Sequence, residues 1–101
     1  MARGQMARLE ASVRGRVQGV GFRYYVVSKA MRLGLTGWVA NDQEGGLRCV
    51  AEGPRPYLES LLEALREGPA SSIVENVTED WLPYTGRWGS FEIRSGGHSG
   101  D

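Results

Sequence analysis

Hydrophobic and polar positions alternate over residues 8–14, with Leu9, Ala11 and Val13 on one side and Glu10, Ser12 and Arg14 on the other. A period of two predicts a half-buried strand. A glycine-rich turn, 15–21, follows. The period then lengthens: Phe22, Val26, Ala30 and Leu33 form one stripe, which predicts a helix over 22–33 that Gly34 stops. Residues 36–41 read as a short apolar strand around Trp38 and Val39, 42–46 as a turn and 47–52 as the return strand of a hairpin. Gly53 and Pro54 open a second helix, with Pro54 or Pro56 in its first turn, and Leu58, Leu61, Leu62 and Leu65 fall at i, i+3, i+4 and i+7. Gly68 and Pro69 end it. Residues 73–81 predict a strand with a fault: Glu75 and Glu79 share the phase of Ile73, Val77 and Trp81, which a bulge or bend mends. After a loop over 83–89, Phe91 and Ile93 mark a short last strand.

This order is the split βαβ pattern, βαββαβ with a possible fifth short strand. It predicts an α+β, ferredoxin-like sandwich with two helices on one face of a mostly antiparallel sheet. The chain length fits one domain with a thin core. The domain is expected over 8–95, between a flexible leader, 1–7, and a flexible tail, 96–101. The first strand and the strand over 36–41 are expected side by side in the middle of the sheet, which would carry Asn41 to the glycine-rich turn. Such a fold hosts many activities, so function has to come from a site.

Charge narrows the classes. Lys plus Arg and Asp plus Glu are both 12. That balance argues against non-specific binding to nucleic acid or acidic membranes. Lys29 is the only lysine, so any bound anion is gripped by the fork of a guanidinium rather than by an ammonium. Cys49 and His98 are the only residues of their kinds, which leaves no metal-ligand set and no internal disulfide. Without an apolar run of membrane-spanning length or a signal-peptide core, the expected compartment is the cytoplasm.

The segment Gly15-Arg16-Val17-Gln18-Gly19-Val20-Gly21-Phe22-Arg23 leaves a strand and enters a helix. Its glycines permit backbone angles that let successive N–H groups turn inward, and such a nest at a helix N-terminus binds a tetrahedral anion. Arg23, in the first helical turn, can add two parallel bonds to the same anion. The segment lacks the Lys-Ser/Thr ending of a Walker loop, and its glycine spacing is not that of a dinucleotide fingerprint. A tight connection whose glycines serve only geometry explains the same residues.

Two long motifs decide between these readings. The loop 15–23 resembles the signature loop of the acylphosphatase family. Gly34-Leu35-Thr36-Gly37-Trp38-Val39-Ala40-Asn41 resembles its second signature. Glu44-Gly45, Ala51-Glu52-Gly53 and Gly68-Pro69 fall where the family has similar residues, so the likeness runs from about Ala11 to Ile93. The resemblance implies a hydrolase that splits the carboxyl-phosphate bond of small acyl phosphates and releases carboxylate and inorganic phosphate. It implies no cofactor and no metal. Two catalytic residues carry over: Arg23, which binds phosphate, and Asn41, which orients water. The backbone cradle carries over to Arg16, Val17, Gln18, Gly19, Val20 and Gly21. The family often has a hydroxyl residue after the asparagine, where this chain has Asp42, an acid beside the expected anion site. The partners expected are a small-molecule acyl phosphate and its phosphate product, with no nucleic acid and no membrane, acting on a monomer.

The remaining conspicuous residues have plainer readings. Trp38, Trp81 and Trp88 fit core or rim anchors better than base-stacking platforms. Cys49 reads as a small core residue, and Glu59, Glu63 and Glu67 as a polar helix face. Two rivals share the fold order. One is a single-stranded RNA-binding module, faintly echoed by residues 19–25 but needing its aromatics within a central strand. The other is a phosphate-handling accessory domain of a larger maturation protein.

Overall fold

The computed structural model describes residues 5–95. Residues 1–4 and 96–101, which include most of the expected leader, the expected tail and His98, lie outside the described residues. The elements are β1 (Met6–Arg16), α1 (Phe22–Arg32), β2 (Thr36–Asn41), β3 (Leu47–Pro54), α2 (Arg55–Glu67), β4 (Ile73–Pro83) and β5 (Phe91–Ile93). They build a five-stranded sheet in the order β4-β1-β3-β2-β5. All neighbours are antiparallel except β2 and β5. Both helices lie on one face, as the period-two and period-3.6 stripes require. Phe22, Val26, Ala30, Leu58, Leu61 and Leu65 from the helices meet Leu9, Ala11, Val13, Val39, Leu47, Cys49 and Ala51 from the sheet in one buried cluster.

One expectation fails: β1 and β2 are not side by side, because β3 runs between them. The hairpin partner β3, buried at six of its eight positions, takes the central place and pairs with β1 on one side and β2 on the other. Strand ends also differ from the alternation. Met6 and Ala7, expected in the leader, pair with Pro54 and Gly53, so β1 starts earlier and β3 ends later than the side-chain pattern marks. Pro54 therefore closes β3 and caps α2, with Pro56 inside the first turn, where a missing N–H costs nothing.

The fault in β4 is a register shift. Arg14 pairs with Asn76 but Gly15 with Val74, which leaves Glu75 unmatched. Core contact passes from Val74 to Val77 and Trp81 across this bulge. The close approach needs Gly15, at φ +134°, since a Cβ there would run into the Ile73 carbonyl oxygen. Glu79 keeps the inward phase at the sheet edge by accepting from Trp81 Nε1 at 2.8 Å and from Arg66 of α2 at 2.5 Å.

Candidate active site

β1 hands the chain to α1 through residues 17–21. Val17 is buried in the core and fixes one end of this loop, while Gly19 (φ +73°) and Gly21 (φ +78°) adopt left-handed backbone that other residues avoid. Gly21 is the N-cap of α1, no side chain caps the helix, and its first turn carries no acid. The N–H groups of residues 18–21 donate to no protein acceptor among the described residues. The first helical N–H groups also lack intrahelical partners, and the dipole adds partial positive charge at the same point. Arg23 is half-buried in the first turn of α1, and its guanidinium forms no hydrogen bond or ion pair among the described residues.

Asn41 reaches this loop by a route the sequence did not suggest. It ends β2 opposite Leu47, and Leu47 is opposite Val13 of β1. That row crosses two strand spacings, about 10 Å, on the helix-covered face, two residues short of Gly15. Asn41 then lines a small pocket of about 70 Å³ with Val17, Gly19, Gly21, Phe22, Arg23 and Tyr24. The two expected catalytic side chains and three loop residues are thus brought together.

Two buried side-chain polar atoms lack a partner among the described residues, Arg8 Nε and Asn41 Oδ1. Arg8 has compensation, since its guanidinium pairs with Glu10 at 2.7 Å and lies 4.9 Å from the Trp88 ring centre. Asn41 has none. A buried carbonyl oxygen without a donor costs about 1–3 kcal/mol, so its retention beside Arg23 needs a reason.

The acid after Asn41 is not in the pocket. Asp42 Oδ2 accepts from Arg14 Nη1 at 2.6 Å, and its Oδ1 accepts from the N–H groups of Glu44 and Gly46 at 2.9 Å. Burial alone would push the Asp42 carboxyl up. The Gly46 N–H, the Arg14 guanidinium and the Glu44 N–H outweigh it together and hold the group below the usual carboxylate value. Gln18 has a role beyond its backbone. Its Nε2 donates to the carbonyls of Asp42 at 2.9 Å and Gly46 at 2.8 Å, tying the cradle loop to the hairpin turn that carries Asn41.

Other groups are engaged elsewhere. Full burial pushes the Cys49 thiol up to about 12, so it is not a thiolate nucleophile near neutral pH. Trp38 and Trp81 are covered by Arg94 at 4.8 Å and Arg55 at 3.7 Å, which makes them rim anchors as expected. Glu52, only 1% exposed, is not singled out by pattern, although it is the lone acid of β3 and follows three buried apolar residues, 49–51. It accepts from Thr85 N–H at 3.0 Å, Thr85 Oγ1 at 2.7 Å and Gly86 N–H at 2.8 Å, pinning the loop before β5 at the far end of β3. A larger depression, about 670 Å³, lies between α1 and α2, but it is an open groove lined by mixed charges such as Lys29, Arg32, Glu63 and Glu67. It offers no cluster of inward amides.

A ferredoxin-like sandwich whose first strand-to-helix loop presents free amides beside an unpaired arginine defines a class of phosphoryl-handling proteins. The comparisons narrow the class. The sequence model of the acylphosphatase family matches residues 9–93. The acylphosphatase of Salinibacter ruber is 46% identical over 94 residues, covering 93% of this chain and 99% of that protein. The crystal structure of the acylphosphatase from Bacillus subtilis superposes with a TM-score of 0.84 at 36% identity, covering 89% of this chain and 99% of that one. Full-length HypF, in a phosphate- and nucleotide-bound form, gives a TM-score of 0.83 at 28% identity, but the match takes in only 13% of its length. The chain belongs to the acylphosphatase family, and its activity is the hydrolysis of acyl phosphates.

Proposed function

We propose that the phosphoryl group sits in the cradle of backbone N–H groups from Arg16, Val17, Gln18, Gly19, Val20 and Gly21, gripped by the Arg23 guanidinium, and that Asn41 orients the attacking water. The observation that carries this reading is the shared pocket. Arg23, a cation without a partner among the described residues, and Asn41, whose buried carbonyl oxygen has none among them either, line one small space at an uncapped helix N-terminus.

The chemistry needs no stronger acid or base. A carboxylate is a good leaving group and departs unprotonated. The Asn41 carbonyl accepts a bond from water and its NH₂ donates, which fixes the water but cannot deprotonate it. The water oxygen forms the new P–O bond as the bond to the acyl oxygen breaks. The electron pair leaves with the carboxylate, and the water's proton passes to a phosphoryl oxygen of the substrate. The amides and Arg23 stabilise the charge on those oxygens throughout. In this reading the catalytic unit is the one domain expected over 8–95, extended at its start by Met6 and Ala7 of β1, and it works as a cytoplasmic monomer. It needs no metal, cofactor, nucleic acid or membrane, in keeping with its balanced charge.

The test is benzoyl phosphate hydrolysis with a chelator present, beside calorimetry with inorganic phosphate. Arg23→Ala should lose both phosphate binding and turnover. Asn41→Ala should bind phosphate as the parent does while kcat falls by about 10²–10³. Parental turnover by Asn41→Ala would remove the role given to it.

A further inference from the structure

The same pocket points to a side chain that selects the acyl group. This rests on the reading of Asn41 above. In-line displacement sets the leaving group opposite the attacking water. Asn41 Oδ1 is buried, so water held there attacks from the inner side and the acyl group departs toward solvent. The residues lining the pocket differ sharply in what they offer on that side. Val17 and Phe22 are buried, Asn41 and Arg23 are half-buried, and Gly19 and Gly21 are exposed but have no side chain. Tyr24, 74% exposed, is the only exposed side chain among the described residues that line it.

Tyr24 is also unspent. It makes no hydrogen bond, ring contact or ion pair among the described residues, whereas Tyr25 beside it packs on Phe22 and donates its hydroxyl to the Ala64 carbonyl. An exposed tyrosine in the first turn of a helix has its side chain directed back toward the N-terminus, where the loop amides are. The pocket holds only a few water-sized groups, so an acyl portion of any size lies outside it.

We propose that the Tyr24 ring is the platform for the acyl portion, the side chain that sets how far a flat aromatic acyl phosphate is turned over in preference to a small one. Ring stacking contributes about 0.5–1.5 kcal/mol, which converts to a preference of roughly 2- to 12-fold.

The experiment measures kcat/KM for benzoyl phosphate and acetyl phosphate in the parent, Tyr24→Ala and Tyr24→Phe, with the inhibition constant of inorganic phosphate alongside. The benzoyl-to-acetyl ratio should fall in Tyr24→Ala by about 3- to 10-fold and stay near the parental value in Tyr24→Phe, which keeps the ring. A ratio unchanged in Tyr24→Ala, or one that falls equally in Tyr24→Phe, overturns the platform. Because Tyr24 is 74% exposed and makes no hydrogen bond, ring contact or ion pair among the described residues, the variants should fold as the parent does, and the phosphate constant reports on the cradle separately. Failure of the Asn41→Ala test above would strike the orientation argument itself. Failure of the ratio alone, with Asn41 behaving as described, strikes only Tyr24.

Discussion

Gln18→Ala tests whether the cradle and Asn41 work as one unit. The substitution removes two hydrogen bonds, to the carbonyls of Asp42 at 2.9 Å and Gly46 at 2.8 Å. Neither carbonyl is left bare. Gly46 O still accepts from the Asp42 N–H at 2.9 Å, and Asp42 O faces the Gly45 N–H at 3.4 Å. The cost therefore sits at the net value of two bonds without an orphaned-acceptor penalty, about 1–2 kcal/mol. For a domain of this size that lowers Tm by roughly 5–15 °C. The effect on rate should be larger than this implies. The hairpin end carrying Asn41 would lose its tie to the loop, and a displacement of about 1 Å can cost on the order of 10²-fold. Gln18→Ala should thus lower kcat by roughly tenfold or more while the phosphate inhibition constant stays close to the parental one, since the amides themselves remain. Gln18→Glu should do worse on both counts, because it sets a carboxylate against two carbonyl oxygens. Urea unfolding followed by tryptophan fluorescence, with kcat measured on the same preparations, reads both effects. A Gln18→Ala protein with parental kcat, whatever its stability, would refute the coupling.

Two further outcomes follow from groups outside the pocket. Glu52→Ala strips a buried acceptor from the Thr85 N–H, the Thr85 hydroxyl and the Gly86 N–H and should destabilise by about 2–4 kcal/mol, yet leave kcat of the folded fraction unchanged, because Glu52 is at the opposite end of β3 from Gly46; thermal and urea unfolding beside the assay would show it. Asp42, held below its unfolded value, contributes stability that is present above the unfolded carboxylate pKa of about 3.9 and is lost as pH falls through the lower folded value. Asp42→Asn should therefore be less stable than the parent near pH 6, and the gap should close below about pH 4; a gap that widened on acidification would contradict the ion pair with Arg14.

The sequence was most legible where one period ran unbroken. The α2 leucine stripe and the β1 alternation gave their elements directly, because burial on one face leaves a fixed spacing. Even the broken alternation of β4 carried information, since acids in the inward phase call for a bulge or bend, and Glu75 is the extra residue of a bulge, while Glu79 stays in phase with Arg66 and Trp81 as partners. Strand order was not legible in the same way. Side-chain periodicity marks which face is buried and not which strand is the neighbour, so β1 and β2 were wrongly set together. Contacts between side chain and backbone were the other blind spot. Gln18 and Glu52 act through amides and carbonyls whose positions exist only once the turns have formed. Arg23 and Asn41, by contrast, stood in two signatures legible as motifs, and the fold brings them to one pocket although a third strand intervenes.

That a third strand can intervene without harm follows from how the polar groups are divided. Beneath the pocket the groups are engaged: Val13, Val17, Phe22 and Leu47 fill the core, Arg14 pairs with Asp42, and Gln18 donates to the turn carbonyls of Asp42 and Gly46. At its lining the capacities are open among the described residues: the loop amides, the Arg23 guanidinium and both ends of the Asn41 amide. A site that stabilises developing charge must hold its donors in place before the substrate arrives, or reorganisation cancels the gain. Rigid support therefore matters more than which strand supplies it. The same division explains how an acid is tolerated directly after Asn41. Asp42 brings a negative charge close to the proposed anion site, but Arg14 and two turn amides hold it, so in that reading the cradle meets a neutralised pair and Arg23 stays available for the phosphoryl group.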